Sequence, residues 1–172
     1  MPIALAPEER RRLRRKPFRL NLFFVRNQRY SSLFRRVEFV AEPAVGHTNR
    51  AIFTIVVVED DDDIRTLAVM ALELDSSFRV IEARTGAAAL QTACTVAGLD
   101  LILVDLSLPD MDGFELADAL QQIQTDATIP FAFFTASVRE AELQRYKAAG
   151  ARGVIAKPFD PLRLATTVRN LI

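Results

Sequence analysis

Five short apolar runs, each followed by a longer segment of helical period, constrain the fold of this chain more tightly than any other feature of its sequence. The runs are Ile52 to Val58, Phe78 to Glu82, Leu101 to Asp105, Pro130 to Phe134 and Gly153 to Ala156. Each has the length of a strand. Their near-continuous apolar character (Ile55-Val56-Val57-Val58, Leu101-Ile102-Leu103-Val104, Phe131-Ala132-Phe133-Phe134) fits strands covered on both faces, as in a parallel sheet between helix layers. The intervening helices read as Asp62 to Leu74, Gly86 to Ala97, Phe114 to Gln122, Val138 to Ala149 and Pro161 to Leu171. Asp160 suits the N-cap of the last, with Pro161 in the first helical position, and Gly150 suits the end of the fourth. This alternation predicts a doubly wound α/β sandwich of five parallel strands.

The pattern leaves the first 50 residues outside the sandwich, and charge separates them too. Residues 1–50 carry 12 Lys/Arg against 4 Asp/Glu, a surplus of eight positive charges, and the remainder carries 10 against 18, a surplus of eight negative charges. Opposite surpluses suggest two units, a basic extension over 1–50 and a domain over 51–172. Because its aromatic residues follow no clear period, the extension is expected to be disordered or loosely packed; the alternative is a start assigned too far upstream. Its run Arg10-Arg11-Arg12-Leu13-Arg14-Arg15-Lys16 is of the kind attracted to nucleic acid or anionic lipid. His47 falls here and reads as exposed. No apolar stretch is long enough to span a membrane or form a signal-peptide core. A single cysteine, Cys94, excludes an internal disulfide and reads as a buried structural thiol on the second helix, so the chain is expected to be cytoplasmic.

In such a fold, ligands bind outside the carboxyl ends of the strands. Four of the five ends carry reactive groups: Glu59, Asp60 and Asp61 after the first, Asp105 closing the third, Thr135 after the fourth, and Lys157-Pro158 after the fifth. Carboxylates crowded at one end repel, and a hard divalent cation, Mg²⁺, relieves the repulsion. Mg²⁺ favours phosphate chemistry, in which a carboxylate can attack phosphorus while Lys157 and the Thr135 hydroxyl hold phosphoryl oxygens. Taken singly, each feature has a plainer reading: carboxylates open helices, and aspartates end strands in turns. Their joint placement favours the chemical one.

The blocks Ile55-Val56-Val57-Val58-Glu59-Asp60-Asp61, Leu101-Ile102-Leu103-Val104-Asp105-Leu106-Ser107-Leu108-Pro109-Asp110-Met111-Asp112-Gly113, Phe134-Thr135-Ala136 and Lys157-Pro158-Phe159 stand in one order and spacing. Across residues 52–171 the chain thereby resembles the receiver domain of two-component response regulators. The resemblance implies a flavodoxin-like sheet in the order 2-1-3-4-5, with the site at the switch between the first and third strands. It implies that Asp105 accepts a phosphoryl group from a sensor histidine kinase or histidine phosphotransfer protein, becoming an aspartyl phosphate. Asp60, Asp105 and the Ser107 backbone carbonyl would ligate Mg²⁺, with Glu59 acting through a water, and Thr135 and Lys157 would hold the phosphoryl oxygens. Lys157-Pro158 is expected to be cis. Pro109 and Gly113 would shape the loop beside Asp105, the glycine by adopting a backbone angle other residues avoid. Val154 stands where many family members carry Tyr or Phe, so the surface change is expected to pass through the loop after Thr135 without a rotating ring.

The family implies a signalling protein rather than an enzyme, docking onto a downstream protein without contacting DNA through the receiver. The ending at the fifth helix resembles stand-alone members. Two alternatives belong to other classes: a phosphate-independent docking module, and a phosphatase of the haloacid dehalogenase type. The latter places its nucleophile on the first strand with a second Asp two residues on, whereas here the nucleophile candidate lies on the third strand and residue 107 is Ser.

Overall fold

The structure, a computed structural model, describes residues 37–40, 52–123, 129–136 and 140–172. The basic run and His47 lie outside the described residues. The elements run β1 (Val37–Val40), β2 (Phe53–Val58), α1 (Asp62–Glu73), β3 (Phe78–Ala83), α2 (Gly86–Thr95), β4 (Leu101–Asp105), α3 (Gly113–Gln122), β5 (Phe131–Thr135), α4 (Glu140–Ala148), β6 (Gly153–Ala156) and α5 (Pro161–Arg169).

Five strands pair in parallel in the order β3-β2-β4-β5-β6, which is the expected 2-1-3-4-5 sheet. A sixth strand departs from the five-strand reading: β1 pairs antiparallel with β6, Val37 opposite Ile155 and Val40 opposite Gly153. Four residues flanked by polar sequence give too short a pattern to register against the five longer runs.

Alternate residues of the central strands feed two cores, because successive side chains point to opposite faces. Val56, Val58, Ile102, Val104, Phe131 and Phe133 pack on one side with Ala89 and Ala93 of α2, Leu116 and Leu120 of α3 and Tyr146 of α4. Ile55, Val57, Leu101, Leu103, Ala132 and Phe134 pack on the other with Ala68 and Leu72 of α1 and Leu164 and Val168 of α5. The thiol expectation fails here. Gly86, Ala89 and Ala93 form the buried face of α2, and Cys94, one residue round the helix, is exposed.

The caps follow the sequence. Asp160 accepts from the Leu162 amide at 3.0 Å with Pro161 opening α5, and Gly150 has a left-handed φ of 79° just beyond α4. Among the described residues no helix is long and apolar enough to cross a membrane.

Candidate functional site

The chain reverses its direction across the sheet between β2 and β4, and the carboxyl ends of these adjacent strands form the crevice where ligands are expected. Glu59 and Asp60 leave β2, and Asp105 closes β4. One carboxylate oxygen from each lies within 4.8 Å of the others, with Glu59 and Asp105 buried and Asp60 exposed. Asp61, adjacent in sequence, is used differently: its carboxylate accepts from the Asp63 and Ile64 amides at 2.9 Å each, capping α1.

Lys157 arrives from the end of β6. Its ammonium Nζ lies 2.7 Å from Glu59 Oε2 and 2.9 Å from Asp105 Oδ1, and the preceding strand pairing is extended by the Lys157 amide donating to the Thr135 carbonyl at 2.7 Å. The Lys157-Pro158 peptide is cis, as expected. Burial pushes the Glu59 carboxyl above its ordinary value, Lys157 opposes that shift, and the Asp105 charge adds to it. With all groups ionised, three carboxylates against one ammonium leave two negative charges in excess, which suits a divalent cation with hard oxygen ligands. Thr135, at the end of β5 beside Lys157, is buried.

The loop after Asp105 is fixed from several sides. The Leu106 amide donates to Asp105 Oδ1 at 2.8 Å, Ser107 pairs with Asp112 in an isolated bridge, and the Gly113 amide donates to the Leu106 carbonyl at 3.0 Å. Gly113 does not take the unusual backbone angle anticipated for it: the positive-φ glycines among the described residues are Gly98 and Gly150. Its requirement is one of space. A Cβ there would lie 2.4 Å from the Asp105 carbonyl oxygen and 2.8 Å from the Leu106 Cα, so the first turn of α3 packs directly against the backbone of the candidate nucleophile.

Three supporting residues were not singled out from the sequence. Arg65, buried on α1, donates to the Glu59 carbonyl at 2.8 Å and the Asp60 carbonyl at 3.2 Å, pairs with Glu82 at 3.1 Å, and also binds Asp62. It thereby holds the acidic turn from beneath. Asp110 accepts from the Gly86 and Ala87 amides at 2.9 Å each, tying the β4–α3 loop to the start of α2, and those bonds lower its carboxyl below the usual range. Tyr146 of α4 donates to Glu142 at 3.3 Å and packs its ring 5.1 Å from that of Phe133, two residues before Thr135 on β5. Asp110 and Tyr146 lie inside recognisable segments, but each of the three also meets groups outside its own element, which the sequence does not mark. The loop after Thr135, expected to carry the surface change, has residues 137–139 outside the described residues.

The family model described as "Response regulator receiver domain" matches residues 55–169. Among curated proteins the chain is 33% identical over 120 residues to "Probable transcriptional regulator ycf29" of Porphyra purpurea, covering 70% of this chain and 56% of that one. It is 32% identical over 120 residues to "Sensor kinase CckA" of Brucella abortus, covering 69% of this chain and 12% of that one. Several of the curated relatives are therefore much longer, and the chain spans about half the length of ycf29. Among solved structures, the chemotaxis response regulator CheY4 of Vibrio cholerae superposes with a TM-score of 0.64 at 29% identity, covering 70% of this chain and 99% of that one.

Proposed function

The chain belongs to the response regulator receiver domain family of two-component systems, and from that premise we propose that Asp105 accepts a phosphoryl group from a histidine kinase or histidine phosphotransfer protein, with Mg²⁺. The observation that carries the reading is the meeting of Glu59, Asp60, Asp105 and Lys157 at the ends of three strands. In the proposed reaction an Asp105 carboxylate oxygen forms a bond to phosphorus as the phosphorus–nitrogen bond of a phosphohistidine breaks, and the donor imidazole leaves. Bound Mg²⁺ would neutralise charge on the phosphoryl oxygens. Asp60, Asp105 and the Ser107 carbonyl are its proposed ligands, with Glu59 acting through a water. Lys157 already sits against Asp105 and is suited to hold one phosphoryl oxygen, and the Thr135 hydroxyl another.

The absence of an acid two residues beyond Asp105, where Ser107 stands, favours a persistent phosphoaspartate over rapid phosphatase turnover. Signalling then proceeds by docking onto a downstream protein, without DNA contact by the receiver. Intact-mass measurement after incubation with acetyl phosphate tests the reading. One Mg²⁺-dependent phosphoryl group on the wild type and none on Asp105→Asn is expected; labelling of both proteins alike removes Asp105 from the role.

A further inference from the structure

The turn that carries Glu59 and Asp60 lies between two regular elements and belongs to neither. β2 ends at Val58 and α1 begins at Asp62, and the sheet's last hold on the turn is the Glu59 amide, which donates to the Ala83 carbonyl at 3.0 Å. Its three carbonyls all end on one residue. Those of Glu59 and Asp60 accept from the Arg65 guanidinium at 2.8 and 3.2 Å, and that of Asp61 accepts from the Arg65 amide at 2.9 Å. The last is the first bond of the helix. The other two fall outside both strand ladder and helix, so a side chain has to supply their donors.

This grip needs a guanidinium. Arg65 is 2% exposed, and its Nη1 alone serves both carbonyls. Its Nε pairs with Glu82 of β3 at 3.1 Å and its Nη2 with Asp62, which also pairs with Arg84 at 2.6 Å. A planar fork with five donors can serve two carbonyls and two carboxylates at once, and the single ammonium of a lysine cannot. The charge of Arg65 is met by Asp62 and Glu82, neither of which belongs to the group formed by Glu59, Asp60 and Asp105.

We propose that Arg65 is a positioning residue for divalent-cation binding: by holding the Glu59 and Asp60 carbonyls it fixes the carboxylates of the turn relative to Asp105, and so sets the affinity of the site for Mg²⁺. This rests on the reading of Asp105 as an Mg²⁺-dependent phosphoacceptor. Charge and position predict opposite signs. A cation buried near a metal site repels the metal, so if Arg65 acted through its charge alone, a neutral replacement would tighten Mg²⁺ binding. If it acts by position, the same replacement loosens it.

Mg²⁺ is titrated into the full chain and followed by the ¹⁵N amide shifts of Asp60 and Ser107, and the dispersion of the same spectra shows that each variant is folded. Arg65→Lys, which keeps the charge, and Arg65→Gln, which removes it, are both expected to bind Mg²⁺ about tenfold more weakly. At saturating Mg²⁺ both are expected to label with acetyl phosphate at close to the wild-type rate, a split that a general loss of packing would not give. In wild type, linkage requires the reverse effect, so Mg²⁺ is expected to slow solvent exchange of the Arg65 Nε–H, a measurement that needs no variant. Wild-type Mg²⁺ affinity in Arg65→Lys, tighter binding in Arg65→Gln, labelling that stays slow at saturating Mg²⁺, or Arg65 exchange indifferent to Mg²⁺ overturns the inference and leaves the phosphoacceptor reading standing. A wild type that binds no Mg²⁺ overturns both.

Discussion

Lys157 reaches two carboxylates carried by different strands, and neither has another cation within ion-pair distance among the described residues. Glu59 is almost wholly buried, so removing the ammonium leaves its charge uncompensated. Lys157→Met is expected to lose about 3 kcal/mol of stability in urea unfolding without divalent cations. Added Mg²⁺ should restore part of that loss in the variant and shift the wild type little; equal stability of the two proteins without Mg²⁺ contradicts this electrostatic account. The site's principal groups were legible residue by residue because each stands at the end of an apolar run. Arg65 was not, since it holds the acidic turn through the backbone carbonyls of Glu59 and Asp60, and carbonyls leave no mark on sequence. Tyr146 was hidden for a related reason: its burial comes from rings on β5 and α3, not from the weakly apolar helix in which it sits.

Element packing decides what the glycines are for. At Gly113 an added methyl group meets backbone, which cannot turn away, whereas at Gly86 it meets the flexible end of Met111. Gly113→Ala is therefore expected to lower stability by about 1–3 kcal/mol and slow labelling of Asp105, with a smaller effect of Gly86→Ala on both. Denaturation midpoints and phosphodonor labelling rates, compared side by side, check that order. A second element-scale contact joins the turn between α1 and β3 to the last turn of α5. There Arg169 and Ser77 hold the Asp75 carboxyl down to about 2. A depressed carboxyl contributes stability fully above its unfolded value and loses it as pH falls towards the folded one. Because the pair is partly exposed, Asp75→Asn should cost below about 1 kcal/mol at pH 6. That difference should shrink as pH falls from about 4 towards 2, as urea midpoints at pH 6 and pH 3 would show; a difference that grows on acidification contradicts the assignment.

Across the whole molecule, five parallel strands and their helices followed from hydrophobic runs because a sheet covered on both faces needs apolar residues at nearly every position. The antiparallel β1 is held at the sheet edge by pairing that any sequence can make through its backbone, so its position was not legible. Among the described residues both cores are drawn from positions beyond 52, and a chain trimmed to 52–172 is expected to fold and label as the full chain does, with faster amide exchange at Gly153–Ala156 where β1 pairs. Unchanged exchange there would mean that β1 does not protect β6 in solution. The central claim, that Asp105 carries the phosphoryl group, is tested most directly by reducing the acetyl-phosphate-treated chain with borohydride, which converts an aspartyl phosphate to homoserine, and sequencing its peptides by mass spectrometry. Homoserine at position 105, formed only when Mg²⁺ was present during phosphorylation, is the predicted result; homoserine at another aspartate, with residue 105 unchanged, would contradict the account.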